Sequence, residues 1–144
     1  MNELRQQAIR LLARREHTHA ELRKKLAGEG TEEEIEAVLA DLANTGLLSD
    51  ARTAASFLRA QGARFGTAKL KYSLRAKGAD DETIAAALEG AELPDDIERA
   101  RAIWLRKFGS VPQNQKEWAR QARFLQSRGF SSDVIRRLLK EQDD

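Results

Sequence analysis

Apolar residues recur along this chain at helical spacing and nowhere alternate long enough to predict a strand. Leu4, Ala8, Leu11 and Leu12 stand at i, i+4, i+7 and i+8. Ile97, Ala100 and Trp104, and later Trp118, Ala122 and Leu125, keep the same period. Each set forms a stripe on one side of a helix and leaves water only by packing on another helix. The polar residues between stripes mark the ends. Thr18 with Glu21, and Thr31 with Glu34, fit the capping box, in which hydroxyl and carboxylate each satisfy a free amide of the first turn. Asp80 and Ser131 or Ser132 are simpler N-cap candidates. Pro94 falls where a first-turn proline is tolerated, followed by Asp95, Asp96 and Glu98 at the positive end of the helix dipole. Gly46, Gly66, Gly78, Gly90, Gly109 and Gly129 each close a stripe, where a left-handed C-terminal cap is expected. The pattern predicts nine helices, at about 2–15, 18–27, 31–44, 50–62, 67–77, 80–89, 94–107, 114–128 and 131–141.

Nine helices divide into threes. A leucine stands four residues before a glycine at Leu26–Gly30, Leu74–Gly78 and Leu125–Gly129, and Ile35, Ile84 and Ile135 follow. The isoleucine comes six residues after the glycine in the second and third copies and five after it in the first. The glycines lie 48 and 51 residues apart, a period that signals an array of supersecondary units. The expected fold is all-α, an elongated, curved tandem array of three three-helix repeats at 1–48, 49–92 and 93–144. Units of this size bury too little surface to be very stable alone, so packing between neighbours must supply the remainder.

Composition removes whole classes of chemistry. There is no cysteine and only two histidines, which excludes a disulfide scaffold, a thiol nucleophile and a histidine-rich metal site. No signal-peptide core or membrane-length apolar run occurs, so a cytoplasmic protein with no membrane association is expected. The sequence holds no nucleophile elbow, no Walker loop and no dinucleotide fingerprint. The acidic clusters Glu32-Glu33-Glu34 and Asp80-Asp81-Glu82 sit in predicted first turns, where they complement the helix dipole. His17 and His19 straddle a helix cap and read as surface or capping residues rather than ligands. No catalytic residue, metal site or cofactor is expected, and the chain does not read as an enzyme.

Charge is the stronger signal. The net charge of +2 hides a segregation: residues 1–50 carry seven basic and ten acidic side chains, and residues 51–144 carry 18 and 13. Between Ala51 and Ala79 lie Arg52, Arg59, Arg64, Lys69, Lys71, Arg75 and Lys77 and no acid. Ordinary solvated helices intersperse both signs, so a polyanion or a charged protein surface is the expected partner. Lys71 and Arg75 share a helix face while Leu70 and Leu74 turn to the core. Lys116, Arg120 and Arg123 repeat this opposite Trp118, Ala122 and Leu125, as do Arg136 and Lys140 on the last helix. The candidate binding residues for such a partner are therefore Arg59, Arg64, Lys69, Lys71, Arg75, Lys77, Lys116, Arg120, Arg123, Arg136 and Lys140. Phe57, Trp104, Phe108, Trp118 and Phe124 read as core; Tyr72 reads as core in preference to a ligand contact. Three-helix units also evoke duplex readers, but the candidate recognition helices begin with Glu32–Glu34 and Asp80–Glu82, which repel phosphate.

Several stretches keep a recognisable order. They are Leu11 to Thr18 (LLARREHT), Glu21 to Leu26 (ELRKKL), Gly46 to Arg52 (GLLSDAR), Lys77-Gly78, Lys107-Phe108-Gly109, and Arg123 to Arg137. In this order and spacing they resemble the RecX family of bacterial RecA regulators from about Leu4 to Leu139. Thr53 departs from the family's usual aromatic, Thr67 from its common proline, and the turn after Gly30 is one residue short. The resemblance implies tandem three-helix repeats in an elongated molecule that binds within the groove of the RecA–single-stranded DNA filament, and a monomer is expected. Filament growth or persistence would then fall, and with it ATP hydrolysis, strand exchange and the co-protease activity behind the SOS response. Weak direct DNA binding is expected beside the RecA contact. The rival reading is a stand-alone helical DNA-binding protein that acts without touching RecA.

Overall fold

In the computed structural model, which describes residues 2–143, the chain is all-α. Nine α-helices run in order among these residues: α1 (Asn2–Arg14), α2 (His19–Leu26), α3 (Glu32–Asn44), α4 (Asp50–Gln61), α5 (Thr67–Ala76), α6 (Asp81–Ala91), α7 (Asp96–Lys107), α8 (Gln115–Ser127) and α9 (Ser132–Asp143). A 3-10 turn, Gly62–Arg64, extends α4. The outermost residues of the expected first and third segments, Met1 and Asp144, lie outside the described residues.

The chain divides into two compact units. The first holds the described residues up to Phe57 together with Leu74–Ala91; the second holds Leu58–Ser73 and the residues from Glu92 onward. In the first, Leu4 and Ala8 of α1, Leu22 and Leu26 of α2, and Ile35, Val38, Leu39 and Leu42 of α3 close one core with Leu48. In the second, Ala100 and Trp104 of α7, Leu125 of α8 and Ile135, Leu138 and Leu139 of α9 close another with Phe130. Full burial of a leucine contributes about 1.5–3 kcal/mol, so each cluster is the main driving force of its unit. The leucines of the repeat, Leu26, Leu74 and Leu125, are all 0% exposed, and Ile35, Ile84 and Ile135 are buried.

The predicted caps form. Thr18 and Thr31 each complete a capping box, with Glu21 and Glu34. Asp80 accepts the Thr83 amide at 2.8 Å. Ser131, not Ser132, caps α9, accepting the Val134 amide at 3.2 Å. At α7 the cap is Asp95, so Pro94 stands one residue ahead of it rather than in the first turn.

The glycines need correction. The left-handed conformation occurs at Gly28, Gly46, Gly78, Gly109 and Gly129, and at Gly66 and Gly90 it does not. Gly90 lies inside α6, which continues to Ala91, and Glu92 takes the positive φ of 49°. Gly66 opens α5 instead of closing a helix; its carbonyl accepts the Leu70 amide at 3.1 Å. In the first copy α2 ends at Leu26 and Gly28 makes the turn, so Gly30 aligns with Gly78 and Gly129 in sequence but not in conformation.

Gly78 and Gly129 have a second role. In the first unit a Cβ on Gly78 would overlap the Cβ of Ala20, in the first turn of α2. The Thr18 hydroxyl donates to the Lys77 carbonyl beside it. In the second unit a Cβ on Gly129 would overlap the Cβ of Lys69, in the first turn of α5. The Gly66 amide donates to the Arg128 carbonyl at 2.7 Å beside it. The same junction thus occurs twice: the turn before the last helix of one segment lies against the start of the middle helix of the preceding segment.

Next to the first junction, His17 is 2% exposed, so it is neither a surface nor a capping residue. Its Nδ1 donates to the Arg15 carbonyl at 3.0 Å, and burial lowers its pKa below the ordinary 6.5. Glu21 is pushed up by burial, but the Thr18 amide, Lys77 and Arg15 together hold it below its ordinary value of 4.5. Both groups favour the deprotonated form in the folded state, so their contribution is present above the ordinary values and lost as the pH falls through the folded ones.

Gly78→Ala and Gly129→Ala should each lower the urea midpoint more than Gly46→Ala. All three incur the left-handed penalty of roughly 1–2 kcal/mol, and the space beside Gly46 is open. Equal shifts at the three positions would contradict the close-approach account. Stability should also decline below pH 6.5 and again below pH 4.5. His17→Gln should flatten the first decline and leave the second, as read from urea midpoints between pH 4 and 7.5.

Candidate functional site

The cationic candidates fall on several helices, and their surroundings differ. Leu70 and Leu74 are 0% exposed, so α5 turns its apolar side inward as its spacing requires. Lys69 and Arg75 are exposed on that helix and Lys71 is half-buried. Lys116, Arg120 and Arg123 are exposed along α8, Arg136 and Lys140 along α9, and Arg59 near the end of α4. Arg75 pairs with Asp81 at 2.9 Å and Arg136 with Asp133. Lys77 is turned to Glu21 at 3.6 Å and over the Phe57 ring, which makes it part of the first junction. Arg59, Lys71, Lys116 and Arg123 have no ion-pair partner among the described residues.

Tyr72 overturns its expected place. It is 73% exposed, on the second-unit part of α5 that also carries Lys69. An exposed phenol among cations is an available stacking surface. Trp104 is buried as expected, while Phe57, Phe108, Trp118 and Phe124 are only half-buried. The second unit uses its half-buried rings to hold cations. Phe65 lies under Lys69 at 5.0 Å, Arg128 at 5.5 Å and Arg64 at 6.0 Å. Phe124 lies under Arg128 at 5.1 Å and Lys107 at 5.3 Å, and Phe108 under Arg120 at 5.9 Å.

Arg128, Lys107 and Tyr72 stand outside the eleven candidates; the rings that hold the two cations lie 17 residues from Lys107 and up to 63 from Arg128, separations with no periodic signature. Arg99 is a different case. It is 5% exposed and donates to the carbonyls of Phe65 and Pro94, to Thr67 and to Asp96, so its charge is consumed inside the fold. Gln121 is likewise internal, accepting from the Trp104 indole at 2.7 Å and donating to the Ser110 carbonyl at 3.1 Å.

The acidic start of α3 is only partly available. Glu34 is engaged by the Thr31 amide, which holds its carboxyl below the usual range. Glu36 is held low by Arg23, at 2.6 Å. Glu32 and Glu33 remain exposed. Among the described residues no group of histidine and carboxylates could hold a metal ion, and no helix is long and apolar enough to cross a membrane.

Comparison with known proteins matches this helical order throughout. Family models described as the first, second and third three-helix domains of RecX match residues 5–42, 49–88 and 94–139. Regulatory protein RecX of Leptothrix cholodnii is 46% identical over 141 residues, covering 97% of this chain and 89% of that protein. Its counterpart from Chromobacterium violaceum is 43% identical over 137 residues, covering 94% and 88%. The crystal structure of RecX from Lactobacillus salivarius has a TM-score of 0.80 at 21% identity, covering 99% of this chain and 96% of that one, a likeness of fold. A crystal structure of a regulatory protein RecX has a TM-score of 0.79 at 25% identity, covering 95% and 71%. With three family models in sequence order and relatives this similar over almost its whole length, the chain belongs to the RecX family of regulatory proteins.

Proposed function

We propose that this protein is a negative regulator of RecA that binds in the groove of the RecA–single-stranded DNA filament and limits filament growth or persistence. ATP hydrolysis, strand exchange and SOS co-protease activity fall as a consequence. The observation that carries this reading is membership of the RecX family along nearly the whole chain. It acts by contact, as a monomer built from three segments at 1–48, 49–92 and 93–144, and not as an enzyme.

At residue level the reading rests on charge and exposure. The acid-free run and α8 present cations with no carboxylate partner, such as Lys71, Lys116 and Arg123. Such groups bind phosphates by releasing the counterions condensed on the strand. Tyr72 adds an exposed ring, and stacking of one base on an aromatic is worth about 1–3 kcal/mol. Among the eleven candidates, Lys77 is the weakest, because Glu21 and Phe57 already hold it.

The combined variant Lys71→Glu, Arg75→Glu, Arg120→Glu and Arg123→Glu should abolish inhibition of RecA ATP hydrolysis on single-stranded DNA while its helical circular dichroism is kept. Undiminished inhibition by the folded variant would remove this surface from the mechanism. Wild-type protein added before filament assembly should block growth, and added afterwards should give a slow decay of hydrolysis. Capture by RecA in the absence of DNA separates filament binding from action on bare DNA; if only bare DNA is bound, the RecA contact is wrong.

A further inference from the structure

In the second unit a pocket of about 340 Å³ opens between the 3-10 turn, the C-terminal half of α7 and the end of α8. Four cations line it: Arg64, Arg106, Lys107 and Arg128. No acidic side chain lines it, and its apolar wall includes Ile103 and the Phe124 ring. Among the described residues none of the four cations has a carboxylate partner. Arg99 and Arg136 of the same unit do, in Asp96 and Asp133.

What holds the four in place does not neutralise them. Arg128 lies over both Phe65 and Phe124, and its Nη1 donates to the Arg64 carbonyl at 3.4 Å. Lys107 lies over Phe124 and Arg64 over Phe65. Cation–π contacts orient a charge and leave it positive. The C-terminal ends of α7 and α8 offset part of it, at roughly half an elementary charge each. About three positive charges remain around one cavity, which is a demand for a multiply charged anion. Guanidinium groups match phosphate oxygens in pairs, and the adjacent apolar wall suits a flat or apolar appendage rather than a bare ion. The volume lies within the range of small-ligand sites.

We propose that this pocket binds one nucleotide, its phosphate on Arg64, Arg106 and Arg128 and its base or sugar along Ile103 and Phe124. The site belongs to the chain itself and requires no RecA, so it goes beyond the filament contact above. The same chemistry is offered by a free mononucleotide and by a single nucleotide of a DNA strand.

The test is titration of isotopically labelled full-length protein, without RecA, followed by backbone amide shifts. Thymidine 5′-monophosphate should move the amides of Ala63, Arg64, Ile103, Arg106 and Arg128, inorganic phosphate should bind at least tenfold more weakly, and thymidine should not bind. Arg106→Gln should weaken the nucleotide at least tenfold, and Lys24→Gln, in the first unit, should not. If a thymidine hexanucleotide moves the same amides and competes with the monophosphate, the source is a strand; if it does not, the site takes the free nucleotide. The proposal is overturned if neither nucleotide moves these amides, if phosphate binds as tightly as the monophosphate, or if hexaglutamate binds more tightly. Any of those results leaves the RecA reading untouched, since that is judged by ATP hydrolysis.

Discussion

The close approach of a glycine turn to the first turn of a neighbouring helix is the constraint on which both units depend. At Gly78 and Gly129 the backbone is left-handed, and the missing side chain admits Ala20 or Lys69. Each contact is secured by a backbone carbonyl next to the glycine, at Lys77 or Arg128, that accepts from the opposing helix start. A three-helix segment of this size has little core of its own. The junctions let the middle segment share its apolar residues: Leu74 and Ile84 go to the first unit and Leu58 and Leu70 to the second. Glycine is required because two conditions coincide there, a positive φ and a lack of room for Cβ.

Polar groups near the junctions are fully committed. Thr53 is buried with its hydroxyl 2.9 Å from the carbonyls of both His17 and Ser49. Arg99 serves the second unit in a similar way, tying Phe65 and Pro94 to Asp96 and Thr67. These residues are polar by composition and structural by position. Several outer cations of the second unit are different: Arg64, Lys69, Lys107, Arg120 and Arg128 lie over aromatic rings and have no carboxylate partner among the described residues. Cation–π contacts orient these charges without neutralising them.

Much of this was legible in the sequence because helices obey local rules. Capping boxes at Thr18 and Thr31, N-caps at Asp80 and Ser131, and the inward stripes of α1, α5 and α8 depend only on residues within one or two turns. The leucine and isoleucine of the repeat are buried in all three copies. Expectation and structure part where a residue's role is set by something distant in sequence. Gly66 looked like a helix end and is a helix start, because its space is defined by Gly129. His17 reads as a surface or capping residue and is buried, its carbonyl accepting from the hydroxyl of Thr53, 36 residues along the chain. Tyr72 looked like core and is exposed, because Leu70 and Leu74 already fill the inward side of α5.

The net charge, the acid-free run, the helical period and the repeat length are properties of the chain alone, and with them come the all-α class and the absence of thiol chemistry. Tertiary structure decided which cations are spent and which are offered. Lys77 is held by Glu21 and Arg99 by Asp96, whereas Arg64, Arg106, Lys107 and Arg128 gather around one pocket without an acid. The physical reason is that a charge is neutralised only by a partner within a few ångströms. Sequence spacing predicts such a partner one helical turn away, but not across a turn, a segment or a shared core.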